Sequence, residues 1–461
     1  MADHELETGG NVGTVLLIAS YFPPGTSSGT MRTVKFAKYL PEFGWNPQVL
    51  TMSPEAYNPK RFDFSLVSGL DPQLKVHRTA VWMPDRALAR LYKRIRNFGG
   101  SPAITGNDGA GKAGAQQARK RRWLVSDFLD WMHFPDDYGG WLIPGILEGR
   151  KLLRREHVDV LYSTAPSPVA HLIAMGLKRI TGLPWIADFR DPWEVLFPEC
   201  IYVEGENRMK RVAEIAVGEL AVGAADLVIA NTDLACEAFQ KRFPRLPTEK
   251  FVTLPNGFDP VDFEDAQPTE SEGAKLTVTY AGTFFADLRT PDETLQAVNE
   301  LVQEGRINPA RFALKFVGCG PVSAPQTPTL EIIPRVAYLD SLRIMGQSDV
   351  LLLLQQSEKY RLQIPAKTYE YMAVRKWILA LAPDGSTAEL VRRMPNGVVV
   401  APGRKEDLKS ALSKFYRMFL EKKLYPVPQD EALARAFTRR EQTRTLGNWL
   451  RQVGKRQTET V

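Results

Sequence analysis

The chain has 461 residues, 44% of them hydrophobic and 10% aromatic, three cysteines and a formal net charge of +6. That length exceeds what one hydrophobic core usually holds and predicts two domains, while the apolar content excludes a generally disordered chain. Cys200, Cys236 and Cys319 are too scattered for a disulfide framework or a zinc site with paired ligands and suit a reducing compartment, and a pI near 9.0 admits nucleic acid, anionic lipid or a phosphate-bearing substrate without choosing among them.

The opening residues MADHELETGGN are acidic and polar where a signal peptide would be basic and then apolar. No run of about 18 apolar residues follows, so a cytoplasmic protein is expected. Residues 14–20, TVLLIAS, read as a first buried strand that stops at the Pro- and Gly-bearing loop YFPPGTSSGT. MRTVKFAKYLPEFG then has helical spacing of Val34, Phe36, Ala37 and Leu40 and is closed by Gly44, and WNPQVLTM supplies a second strand.

Residues 99–118, GGSPAITGNDGAGKAGAQQA, read as a mobile loop. Its flanks, RALARLYKRIRNF and ARKRRWLVSDFLDWMHF, mix Lys/Arg with bulky apolar residues at helical spacing. Residues 86–134 are therefore a candidate contact with an anionic membrane surface, the alternative being packed helices with solvated basic faces.

Strand and helix patterns then alternate. VDVLYST precedes a helix from about Pro168, and LPWIADF follows it. ADLVIANT precedes a helix from Asp233, and KFVTLPNG comes after. DPVDFEDAQPTESEGA, 259–274, has the composition of an interdomain linker. A second series runs through LTVTYAGT, RFALKFVGCG, LEIIPRV, DVLLLLQ, KWILALA and GVVVAP, and one final helix is expected from about Asp430 to Val453. This alternation predicts an α/β protein with parallel sheets, whose chemistry lies in the loops beyond the carboxyl ends of the strands.

Those loops hold the candidate residues. Gly25, Gly29 and Arg32 fit a Gly-rich turn into a helix N-terminus, where an anion is favoured, or else a structural turn. IADFRDPWE places Asp188, Arg190, Asp191 and Glu194 directly after an apolar strand, as a site or as an internal ion-pair network. His171 follows STAPSPVA at a helix start, to bond a hydroxyl or phosphate or simply to pack. In the second series Gly282 and Thr283 follow a strand and Arg289 precedes a helix. Lys367 and Glu370 lie three apart on one helical face, as ligands to a diphosphate and a ribose diol or as a surface ion pair. No GxSxG, HExxH or P-loop lysine is present, which removes hydrolase, zinc protease and ATPase readings, and no aromatic-interleaved basic motif suggests nucleic acid.

The ordered set YFPPGTSSGTMRTVKFAKYLPEFGW, STAPSPVAHLIA, GLPWIADFRDPW, ADLVIANT, LPNGFDP, YAGTFFADLRTP, FVGCGP and IPAKTYEYMA resembles the family 4 glycosyltransferases, two-Rossmann-domain enzymes of the GT-B type. The resemblance implies two Rossmann-like domains with parallel sheets facing across a cleft: residues 1–257 binding the acceptor, 258–428 binding a nucleotide sugar, and 429–461 forming a helix that crosses back. It implies retaining transfer from a nucleotide diphosphate sugar, and the basic flanks at 86–134 point to a sugar or lipid-linked acceptor of polysaccharide biosynthesis at the inner face of the cell membrane. Gly29 would approach the diphosphate and His171 the reacting sugar. Arg289, with Lys367 second, would hold the diphosphate, and Glu370 the ribose. No cofactor or metal is expected, because helix N-termini and basic side chains neutralise the diphosphate. The leaving group's own oxygen can take the acceptor's proton, so no protein base is assigned.

One position departs from the family. Its paired glutamates sit eight positions apart, and Leu362 stands where the first should be. A subset with an IPxKxYEY-like segment resembles this chain and also lacks that glutamate. A nucleotide-sugar epimerase of the same fold and a non-catalytic nucleotide-sugar-binding protein are the alternatives, the latter motivated by Leu362.

Overall fold

The computed structural model describes residues 13–26, 29–59, 62–67, 69–82, 134, 136–190, 197, 208–266, 273–284, 289–319, 327–428 and 430–458. The expected mobile loop 99–118 and nearly all of the basic segment 86–134 lie outside that range, as do Asp191 and Glu194. Described residues up to 229 and from 446 onward form one compact unit, and those from 230 to 445 form another. No described helix is long and apolar enough to cross a membrane.

The first unit contains β1 (Gly13–Ala19), α1 (Thr30–Tyr39), β2 (Trp45–Met52), β3 (Lys75–Thr79), α2 (Leu142–Leu153), β4 (Val160–Thr164), α3 (Pro168–Thr181), β5 (Trp185–Phe189), α4 (Arg208–Ala224) and β6 (Leu227–Ala230). Its strands are ordered β3-β2-β1-β4-β5-β6, with parallel pairing in β2–β3, β1–β2, β1–β4 and β4–β5. β1, β4 and β5 are mostly apolar because they are buried on both faces of the sheet, from Val15 onward in β1, and the polar Ser163, Thr164 and Asp188 fall at or near the carboxyl ends of β4 and β5. α1 tightens into a 3₁₀ turn at Leu40–Phe43 and stops at Gly44, whose φ of 72° is the left-handed cap conformation glycine adopts without a Cβ penalty. β3 was not expected from sequence, because KVHRT has one aliphatic residue and lies at an exposed sheet edge.

The second unit contains α5 (Asp233–Arg242), β7 (Phe251–Thr253), β8 (Leu276–Ala281), α6 (Asp292–Gln303), β9 (Phe312–Val317), β10 (Leu330–Ile333), α7 (Tyr338–Gly346), β11 (Val350–Leu354), α8 (Ala366–Val374), β12 (Trp377–Leu381), α9 (Ser386–Arg393), β13 (Gly397–Val400), α10 (Lys405–Leu420) and α11 (Glu431–Ala436). Its sheet runs β10-β9-β8-β11-β12-β13, each neighbouring pair parallel. The last helix is α12 (Arg439–Thr458).

Two expectations are corrected here. The acidic stretch read as linker is structured in its first half: residues 260–266 form a 3₁₀ helix, and Phe258 and Phe263 are buried in the second unit's core. The single final helix is two, α11 and α12, broken at Phe437 and Thr438. The break frees backbone groups to pair with Phe258: Phe258 N–H donates to the Phe437 carbonyl at 3.0 Å, and Arg439 N–H to the Phe258 carbonyl at 2.8 Å.

Both sheets reverse direction of growth once, between β1 and β4 and between β8 and β11. In open α/β sheets that reversal leaves a crevice at the carboxyl ends of the strands, where ligands bind. The loops after β1, β4, β8 and β11 line those crevices.

Candidate functional site

At the first sheet's reversal, Gly29 is the N-cap of α1, at the place expected for an anion-facing glycine. Gly25 has a different reason to be glycine: a Cβ there would lie 2.4 Å from the Tyr57 ring. The Tyr57 hydroxyl donates to the Ser20 carbonyl at 2.9 Å, so the ring fills the loop after β1.

Arg32 and Asp188, expected at the donor and at the chemistry, instead hold each other. Arg32 Nε lies 2.6 Å from Asp188 Oδ2 and Nη2 lies 3.0 Å from Oδ1, with both side chains fully inaccessible. Thr164 Oγ1 donates to the same Oδ2 at 3.1 Å, and so does the Tyr162 hydroxyl. Burial is the largest single influence on Arg32 and would lower its pKa, but the charges and hydrogen bonds of Asp188 and Tyr162 together outweigh it, and the guanidinium is held more firmly protonated than usual. Burial, then the Asp188 charge, pushes the Tyr162 phenol well up. This is a sealed brace joining α1, β4 and β5, without a face left for substrate. Arg190, two residues after Asp188, is also buried.

His171 sits in the first turn and a half of α3, 1% exposed, stacked on Phe189 at 4.4 Å between centroids. Its Nδ1 is 2.8 Å from Ser163 Oγ, which also accepts from Trp185 Nε1 at 2.8 Å. His171 Nε2 has no hydrogen-bond partner among the described residues. The helix start is fixed by Asp136, which accepts from Ser167 Oγ at 2.6 Å and from Val169 N–H at 3.4 Å. Burial raises the Asp136 pKa, against those hydrogen bonds.

Burial pulls the His171 pKa down from 6.5 to about 4, against the pull of Asp188. Between those two values the unfolded chain binds a proton that the folded chain does not, so stability falls as pH drops through that window. The expected loss at pH 4.5 relative to pH 7 is about 2–3 kcal/mol from this residue. Urea unfolding of wild type and His171→Gln at the two pH values checks it; equal pH dependence in both would show that His171 is not held neutral.

At the second sheet's reversal the geometry is open and charged. β8 and β11 pair only at Val278–Val350 and Thr279–Leu351 and then separate. The Tyr371 hydroxyl, on α8, fills the gap: it accepts from Ala281 N–H and donates to the Leu352 carbonyl, each at 3.2 Å. That fixes α8, which carries Lys367 and Glu370, 2.7 Å apart and only partly buried at 29% and 14% exposure. Gly282, with φ of 152°, begins the loop after β8, and the Thr283 carbonyl accepts from the Tyr280 hydroxyl at 3.0 Å. The same hydroxyl is hydrogen-bonded by Arg289. Thr290 N–H donates to Gln356 Oε1 at 2.7 Å, tying this loop to the one after β11. Leu362 is 8% exposed, and its carbonyl accepts from Thr232 Oγ1 at 2.6 Å, so this position presents no polar side chain.

Arg289, Lys367 and Glu370 thus share one sheet's reversal, as a cationic and carboxylate-bearing surface suited to a phosphate and a diol. Sequence reasoning missed Asp136, Tyr280 and Tyr371. The signal for Tyr371 was the tyrosine pair flanking Glu370, one side chain for each face of α8. Among the described residues no cluster of His, Cys, Asp and Glu could hold a metal ion.

Residues 86–262 match the model of Glycosyltransferase Family 4. No sequence relative among curated proteins matches the chain. Among solved structures, a glycosyltransferase from Rickettsia africae ESF-5 superposes with a TM-score of 0.58 at 13% identity, over 96% of this chain and 98% of that one. Sucrose-phosphate synthase from Thermosynechococcus elongatus gives 0.55 at 14%, over 97% and 98%. The Anabaena HepE protein in complex with UDP and glucose gives 0.54 at 13%, over 98% and 99%. These likenesses establish the two-domain, Rossmann-like α/β fold.

Proposed function

We propose that the chain is a family 4 glycosyltransferase that moves a sugar, with retention, from a nucleotide diphosphate sugar to a sugar or lipid-linked acceptor of polysaccharide biosynthesis. The observation that carries this reading is the second sheet's reversal, where Arg289 lies in the loop after β8 and the Lys367–Glu370 pair on α8, the loops after β8 and β11 being joined by the Thr290–Gln356 hydrogen bond. Cations there would neutralise the leaving diphosphate, and Glu370 would take the ribose hydroxyls. The match over residues 86–262 and the UDP and glucose held by the Anabaena protein support the same reading and make uridine the first base to try. Arg289 and Lys367 supply the positive charge a metal would otherwise bring, so turnover should survive a chelator.

The test is a panel of nucleotide diphosphates and nucleotide sugars scored by thermal shift on the wild type, Arg289→Ala and Glu370→Ala. One nucleotide raising the melting midpoint of the wild type alone supports the donor site; no response to any of them sinks the transferase reading. Product analysis with donor alone then separates transfer from epimerisation.

The acceptor side of the reading includes the membrane. The basic, apolar-interleaved segment 86–134 would place the enzyme peripherally on the inner face of the cell membrane. Each basic residue near an anionic surface contributes about 1 kcal/mol, so neutralising Arg119, Lys120, Arg121 and Arg122 together should abolish co-sedimentation with phosphatidylserine vesicles. Unchanged sedimentation would remove the membrane from the proposal.

A further inference from the structure

We propose that Trp185 and Ser163 are positioning residues that fix His171 as the Nε2–H tautomer, so that its imidazole offers bound substrate a hydrogen-bond donor and no base. An indole N–H can only donate, so the 2.8 Å contact from Trp185 Nε1 makes Ser163 Oγ an acceptor. The serine oxygen has a second lone pair, but the one hydrogen on Ser163 has His171 Nδ1, also at 2.8 Å, as its acceptor when Nδ1 carries the lone pair. The opposite tautomer would aim two donors at one hydroxyl oxygen, leaving both the serine hydrogen and the Nε2 lone pair unmet. In the proposed tautomer only Nε2–H is unmet, and it is buried. A buried donor without a partner is costly and is kept where a ligand or an internal water completes it.

Trp185 and Ser163 are fully buried on β5 and β4, so the relay is rigid. The charged group acting on His171 is Asp188, whose carboxylate is engaged by Arg32, Tyr162 and Thr164. Within the proposed sugar transfer, on which the ligand part rests, Nε2–H would meet a hydroxyl or phosphoryl oxygen. The acceptor's proton would go to the leaving diphosphate rather than to the histidine.

The test uses the full chain labelled with ¹⁵N-histidine and long-range ¹H–¹⁵N correlation, with His171→Gln assigning the signal among five histidines. Wild type at pH 7 should show a neutral ring protonated only at Nε2. Trp185→Phe and Ser163→Ala should each admit a measurable Nδ1–H population. A wild-type ring protonated at Nδ1, or at both nitrogens, overturns the proposal, as does a folded Trp185→Phe that remains wholly Nε2–H. If Trp185→Phe does not fold, wild type and Ser163→Ala decide. Nucleotide thermal shifts on the same samples test sugar transfer separately, so a silent panel overturns that reading while the tautomer is still decided by the spectra.

Discussion

Asp188→Asn is expected to cost the first unit about 3–5 kcal/mol, the range for breaking a buried pair by removing one charge. Arg32 would keep its charge at zero exposure, and the Tyr162 and Thr164 hydroxyls would lose the anion they share. The cost comes from the stranded partner, so Arg32→Met with Asp188→Leu should recover most of it, whereas Tyr162→Phe alone should cost about 1 kcal/mol. Hydrogen exchange of β4 and β5 amides reads the local stability directly. A loss below about 1 kcal/mol in Asp188→Asn would mean that water reaches the pair and that the brace described above is wrong.

Arg289→Ala should lower kcat by about 10²–10³-fold, the range for removing one preorganised group that stabilises developing charge. Charge on the diphosphate grows as the glycosidic bond breaks, so the arginine matters more in the transition state than in the ground state. Glu370→Ala should behave differently. A ribose contact is equal in both states, so KM should rise by about 10- to 100-fold with kcat little changed, as for the loss of a hydrogen bond to a charged group. Steady-state kinetics with the donor found by the panel separates the two. Equal effects of both substitutions on KM alone would place Arg289 at the nucleotide and away from the bond that breaks.

The fold was legible wherever one physical signal dominated. VLLLL, WILAL and VLYST announce parallel strands because both faces of each are covered, and Gly44 announces a helix end because its backbone needs φ above zero. β3 was not legible, since an edge strand needs little apolar material. The break between α11 and α12 depends on Phe258, about 180 positions away, which no local pattern reports.

The site divides the same way. Lys367 and Glu370 could be read from sequence because their partnership is three residues long and lies on one helix. The segment IADFRD looked like either a site or an ion-pair network, and Asp188 finds its partner 156 residues earlier, a pairing that makes it a brace. His171 stood out by its place at a helix start. What governs its proton, a serine on β4 and an indole on β5, comes from two further strands whose adjacency only the sheet order reveals.

The first unit is discontinuous: its last pieces come from residues 446 onward. Trp45 Nε1 donates to the Gly447 carbonyl at 3.0 Å, Arg451 Nη2 to the Phe43 carbonyl at 2.6 Å, and Leu446, Leu450 and Val453 are buried. During synthesis on the ribosome, the strand bearing Trp45 therefore waits for some 400 residues before its covering helix exists. The nascent first unit carries an apolar face throughout that delay, which exposes it to aggregation and makes it a client for chaperones. An expression fragment ending near residue 230 would keep that face permanently, so a soluble first unit has to be built with residues 446–458 joined back to it.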